Sequence, residues 1–160
     1  MIGGIVVKKQ GATPGILAKE RNRIQRDAFY EIGSHWHAKM LPKHFTRQAF
    51  TLYRDVYQPR KPRYERRKFR RFGHTYPLVY SGESMRLALS IRDVRATSRG
   101  NRVVLHSRRF NMRHPKSKIN MREEVTFISQ TEDRGLGLRF DREFQDGIDS
   151  IRTSEETKVV

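Results

Sequence analysis

The chain has 160 residues, no cysteine, and 34 basic against 17 acidic side chains, for a net charge of +17. Hydrophobic residues are 36% and charged residues 32%, so a single domain with a modest core is expected, with much of the chain facing solvent or a partner. Without cysteine, disulfides, thiolate zinc sites and cysteine nucleophiles are excluded. The opening run MIGGIVVKK is too short to span a membrane, has no positive region ahead of its apolar residues, and carries Ile2 where myristoylation needs glycine. The reading is a soluble chain without a cleavable leader, with residues 1–12 as an N-terminal extension.

The charge is unevenly spread. Residues 1–58 sum to +6, residues 59–72 to +7, residues 73–130 to +7 and residues 131–160 to −3. A basic body with an acidic end fits a polyanion partner, or like subunits that meet basic face to acidic face.

In chain order, Thr13-Pro14 is a helix start, with Thr as N-cap and Pro at the first helical position. Ile16, Leu17, Ile24, Ala28 and Ile32 follow on one face, and Gly33 supplies a stop. A loop holding Trp36 comes next. Leu41-Pro42 opens a second helix whose Phe45, Ala49, Leu52, Tyr53 and Val56 form a helical stripe, ended by Gln58-Pro59.

Residues 59–72, PRKPRYERRKFRRF, hold two prolines and eight basic residues, and read as an extended arm that Tyr64, Phe69 and Phe72 pin to the body. The junction 74–91 reads as a strand at Tyr76-Pro77-Leu78-Val79-Tyr80, a turn at Ser81-Gly82, a short helical piece over 83–86, and a new strand in which Leu87, Leu89 and Ile91 alternate with Ala88 and Ser90. A hairpin follows, with strands over 89–97 and 102–107 around Ser98-Arg99-Gly100-Asn101.

Residues 108–118 form a second basic loop, and Val125 and Phe127 alternate with Thr126 as a short strand. Ser129 with Glu132 fits a capping box at the start of a last helix, whose buried face is Phe140, Phe144, Ile148 and Ile151. Gly135, Gly137 and Gly147 weaken that helix by about 1 kcal/mol each relative to Ala, so docking must hold it. From Thr153 the tail is polar and reads as flexible.

No catalytic constellation stands out. The six histidines include the pair His35 and His37 around Trp36, but no third ligand lies near them, so no metal site and no cofactor are expected. Ser81-Gly82 and Ser84 lack a nucleophile elbow. Glu123 and Glu124 point to opposite faces if they lie on a strand. The glycines make no phosphate loop.

The functional candidates are therefore the cations of the two basic segments: Arg60, Lys61, Arg63, Arg66, Arg67, Lys68, Arg70 and Arg71 in the first, and Arg108, Arg109, Arg113, Lys116 and Lys118 in the second. Interleaved with aromatics, they suit phosphates and bases. They suit the acidic surface of a neighbouring subunit equally well.

The phrase PLVYSGESMR at 77–86 resembles the "PL…(T/S)G…(L/M)R" signature of a tailed-bacteriophage family of tail-completion and head–tail joining (neck) proteins, with Pro77, Leu78, Ser81, Gly82, Met85 and Arg86 at the signature positions. The basic first helix, the Trp36 loop, His44-Phe45 with Tyr53, and the stretch from Asn120-Met121-Arg122-Glu123-Glu124-Val125 through Ile128-Ser129 and Glu132 are similar to the same family, and together these phrases cover most of residues 13–151. The resemblance implies an α+β domain with helices packed on a small antiparallel sheet. It implies copies assembled as a ring, a hexamer or dodecamer, at the head–tail interface around the DNA channel. The implied neighbours are portal-side neck proteins and tail-tube or tail-terminator proteins. The location would be the virion, with assembly in the host cytoplasm, and the role is architectural without chemistry. The basic composition alone leaves open a nucleic-acid-binding protein of the ribosome or nucleoid, whereas an enzyme has nothing positive in its favour.

Overall fold

The computed structural model describes residues 14–112 and 117–156, with side chains through residue 151. The Thr13 cap and the extension 1–12 lie outside the described residues, as do Arg113 and Lys116 of the second basic segment.

Helix α1, Pro14–His35, buries Ile24, Ala28, Gly33 and Ser34. It does not stop at Gly33. A π turn, Trp36–Met40, continues it and closes on Leu41, whose N–H reaches the Trp36 carbonyl. The wider turn shifts the register so that Trp36, His37 and Met40 all turn inward. Trp36 is thus helical and buried, and the expected loop is corrected. Gly33 serves packing: a Cβ there would come within 2.7 Å of Val94 Cγ1 and 3.0 Å of Asn101 Nδ2.

The expected long second helix is also broken. Leu41–Phe45 is a 3-10 turn with Pro42 in its first positions, Thr46 turns extended, and α2 spans only Ala49–Leu52. The break rotates the stripe. Phe45, Ala49 and Tyr53 reach the core, Leu52 stays 48% exposed, and Tyr57 enters the core beside them.

Residues 59–72 are the main correction. Pro62–Phe72 is helix α3: Lys61 is extended, Pro62 takes the first turn, and Gly73 ends it at φ 73°, donating its N–H to the Phe69 carbonyl at 2.8 Å. Proline at the first position has no N–H to waste, and glycine accepts the left-handed cap without a Cβ penalty. The second proline, which read as a breaker, is the start of a helix.

The junction is likewise rearranged. Leu78 sits at φ 58° beside Pro77, which has no N–H to give a ladder, so 76–80 forms a turn in place of a strand. Helix α4 then runs the full Glu83–Ser90, starting after Gly82 at φ 83°. The hairpin is present as β1, Asp93–Thr97, paired antiparallel with β2, Gly100–Val104. Thr97 opposes Gly100, so the loop is Ser98-Arg99.

After a 3-10 turn over Arg108–Asn111, the segment expected as a strand is helix α5, Met121–Thr126, capped by Asn120, whose side chain accepts from the Glu123 N–H. Glu124 and Val125 are therefore neighbours on one buried side, at 1% and 0% exposure. Helix α6, Gln130–Glu156, starts at the expected capping box, with Glu132 N–H donating to Ser129 Oγ at 3.3 Å and Ser129 N–H to Glu132 Oε2 at 3.2 Å. It continues through Glu156, past the tail expected from Thr153, and residues 157–160 are not described.

The fold is thus α+β, with helices around a two-stranded antiparallel sheet. Its core joins Trp36, Met40, Leu41 and Phe45 to Val79, Ala88, Phe110, Val125 and Leu136, and Leu78 bridges this cluster to Ala49, Tyr53 and Tyr57. Full burial of a side chain such as Leu41 contributes about 1.5–3 kcal/mol. Helices α1 and α6 pack closely: Phe29 and Phe140 have ring centroids 4.6 Å apart, and a Cβ on Gly147 would lie 2.4 Å from Ile24 Cγ2.

A candidate polyanion interface

Helix α3 sorts its cations by helical geometry. Tyr64, Lys68 and Phe72 fall at i, i+4 and i+8 and line the inner side, whereas Arg63, Arg66 and Arg70 occupy the opposite arc, Arg67 and Arg71 its flank, and all five are exposed. Five guanidiniums thus line the exposed side and flank of the helix over nine residues, about 12 Å of rise. Lys61 is exposed just ahead of them. Among the described residues none of these six cations has an ion pair.

The inner cation is spent on holding the helix. Lys68 is 4% exposed and donates from Nζ to the Tyr76 carbonyl, with its ammonium over the Tyr64 ring. Burial, assisted by the positive charge of Arg60, pushes its pKa down to about 8. Arg60 is withdrawn as well. Its guanidinium binds Glu124 bidentately, at 2.8 Å to Oε1 and 2.5 Å to Oε2, and Gln58 N–H donates to the same carboxylate at 3.2 Å. With side-chain exposures of 8% and 1%, this is a desolvated pair whose breakage leaves a buried charge. Glu124 has a structural role on α5; the expectation that it points away from Glu123 across a strand does not apply.

The second basic segment divides differently. Arg109 Nη2 pairs with Glu83 Oε2 at 3.1 Å and its Nη1 reaches Ser81 Oγ at 3.4 Å. Arg71 reaches the neighbouring Tyr80 OH at 3.5 Å and lies over the Tyr80 and Phe72 rings. The C-terminal end of α3 and the turn carrying Arg108 and Arg109 therefore meet across Tyr80-Ser81. Arg108 is exposed there. Lys118 is exposed on the approach to α5, two residues before its cap, and no contact joins it to this cluster among the described residues.

The sequence missed the exposure of Phe69. It does not pin the segment to the body: it is 58% exposed at the margin of the arginine face. A 3.6-residue period over Tyr64, Lys68 and Phe72 would have separated it from the inner side.

Two of the histidines, His37 and His44, are packed into the protein. His37 Nε2 lies 2.8 Å from the Ala88 carbonyl. His44, fully buried, stacks on Tyr53 at 4.0 Å with its Nδ1 2.9 Å from Tyr57 OH, and burial pushes its pKa down to about 4. Tyr53 in turn donates to Glu132 at 2.7 Å. No group of three metal-ligating side chains occurs among the described residues, and no helix among them is long and apolar enough to cross a membrane.

No family model, curated protein or solved structure matches the chain.

Proposed function

We propose that the protein is a structural subunit of a tailed phage, assembling as a ring at the head–tail interface, and that it docks through the outward face of α3. The observation that carries the docking role is the sorting of charge on that helix. Arg63, Arg66, Arg67 and Arg70 face outward, without ion pairs among the described residues, while Lys68 anchors the inner side. A rigid arginine face loses little conformational freedom on meeting an acidic surface, which favours a fixed partner geometry. The placement at the head–tail joint rests on the resemblance carried by residues 77–86 and 120–132. The partners on this reading are further copies of the chain, portal-side neck proteins and tail-tube or tail-terminator proteins.

The test is mass spectrometry across a density gradient of nuclease-treated particles from the native source. The reading expects co-migration with capsid and tail proteins at roughly ring stoichiometry. Absence from every nuclease-resistant particle would overturn it.

One observation favours a second reading, a nucleic-acid-binding protein. Phe69, 58% exposed beside the guanidiniums, presents a ring on which a base can stack. On that reading the chain follows ribosomes or nucleoid in the same gradient and leaves them after nuclease.

A further inference from the structure

The β1–β2 hairpin has one face on the body and one in solvent. Val94 lies against Gly33 of α1, Asn101 donates to the Phe29 carbonyl at 2.6 Å, and Val103 packs against the core. Alternation then places Asp93, Arg95 and Thr97 of β1 on the outer face with Gly100, Arg102 and Val104 of β2. The register sets Arg95 directly opposite Arg102, and Thr97 opposite Gly100. Like charges directly opposite destabilise a ladder, so the arginine pair calls for a counter-charge. Asp93 meets half of that need: it accepts from Arg95 at 3.1 and 3.2 Å, and His106 Nε2 lies 3.1 Å from the same carboxylate. Arg102 and the turn residue Arg99 are exposed and have no ion pair among the described residues.

Gly100 shares this outer face. Its φ lies outside the left-handed region, so the turn does not require glycine. A Cβ there would meet nothing within 4 Å, so packing does not require it either. A strand glycine with neither reason leaves bare backbone where another backbone can come close. No outer-face residue is aromatic, so the hairpin offers no stacking platform for the bases of a single strand. Two strands about 4.8 Å apart make a ribbon that the major groove of B-form DNA, about 12 Å wide, admits. The deep, narrow major groove of A-form RNA does not.

We propose that the outer face of this hairpin docks in the major groove of duplex DNA. Arg95, Arg99 and Arg102 neutralise phosphates, which supplies the counter-charge that the arginine pair lacks within the chain. Gly100 lets the wall of the groove approach the strand. Helix α1 backs the ribbon, so little freedom is lost on binding. The site uses no residue of α3 and rests on neither functional reading given above.

The experiment is fluorescence anisotropy of a short labelled DNA duplex titrated with the full chain over a salt series. Arg99→Glu with Arg102→Glu should lose roughly 2 from the slope of log affinity against log salt, at about 0.9 per phosphate contact. The fold tolerates that change, because a glutamate opposite Arg95 makes a favourable cross-strand pair. Arg134→Glu with Arg142→Glu, the same change in charge at exposed positions of α6, should keep the wild-type slope. Gly100→Val changes no charge and meets open space, so it should unfold no earlier than wild type while its affinity for the duplex falls roughly tenfold. Binding to an RNA duplex and to polyglutamate should be unaffected by Gly100→Val. Equal slope losses in the two double variants would mean that net charge alone acts, and would overturn the proposal. So would wild-type affinity in Gly100→Val, or an equal loss with the RNA duplex or polyglutamate, which would assign the face to that class of partner instead.

Discussion

Helices α3 and α6 are the basic and the acid-rich helix of the chain, and they are held to the body by opposite means. Helix α6 is docked by apolar contact, with Phe140 against Phe29 and the bare backbone of Gly147 against Ile24. Helix α3 is docked by polar groups withdrawn from water: Lys68 on the Tyr76 carbonyl, and Arg60 on Glu124 just before the helix begins. The difference teaches that charge counted in a sequence is not charge available to a partner. Two of the eight cations in residues 59–72 are consumed in presenting the other six.

The hardest way to break α3's mooring is to remove Glu124. Glu124→Ala leaves the Arg60 guanidinium buried and the Gln58 N–H unpaired, and should cost about 3–5 kcal/mol in denaturant unfolding. A loss below about 1 kcal/mol would mean that the pair does not moor the helix.

Acidity probes the core beneath both helices. His44 has its folded pKa held at about 4, below the ordinary 6.5. Between these values the unfolded chain takes up a proton that the folded one refuses, so stability falls as pH drops from 6.5 to 4, by on the order of 3 kcal/mol. His44→Phe keeps an aromatic ring against Tyr53 and should flatten that slope. Lys68 acts in the alkaline range: with its folded pKa near 8 and an ordinary value of 10.5, stability should rise as pH climbs between the two, and Lys68→Met should remove that rise.

The glycines of α6 sharpen the comparison on a smaller scale. Gly147→Ala forces a methyl into Ile24 and should destabilise by about 1–3 kcal/mol. Gly137→Ala meets only open space and should stabilise the helix by about 1 kcal/mol. Thermal unfolding of the two single variants decides it, and equal signs would contradict the packing described.

Legibility in the sequence followed locality. The Ser129–Glu132 capping box, the hairpin near Ser98-Arg99 and the helical character of α1, though not its end, were readable because each is fixed by neighbours in the chain. The α+β class, which the resemblance implied, is the class the structure has. What failed was decided by contacts remote in sequence. Val125 and Phe127 alternate like a strand, yet Asn120 caps a helix there that carries Glu124 to Arg60, 64 residues away. The stripe from Phe45 to Val56 is continuous on paper, but the turn at Thr46 interrupts it, and the aromatic stack of His44 on Tyr53 sits across that interruption. In the candidate site the residue types were legible and their division was not. Pro62 was read as a breaker of an extended arm, although a proline followed by a glycine, here Gly73, is the order that bounds a helix.

The most direct test of the account is the salt dependence of binding to duplex DNA, used as a defined polyanion, by three proteins: wild type, the variant Arg66→Glu, Arg67→Glu, Arg70→Glu, Arg71→Glu, and Lys68→Met. Each phosphate contact contributes about 0.9 to the slope of log affinity against log salt. The fourfold variant should stay folded and lose roughly 3 to 4 from that slope, while Lys68→Met keeps the wild-type slope. An unchanged slope in the fourfold variant, or an equal loss in Lys68→Met, would contradict the division of α3 into a docking face and a moored one.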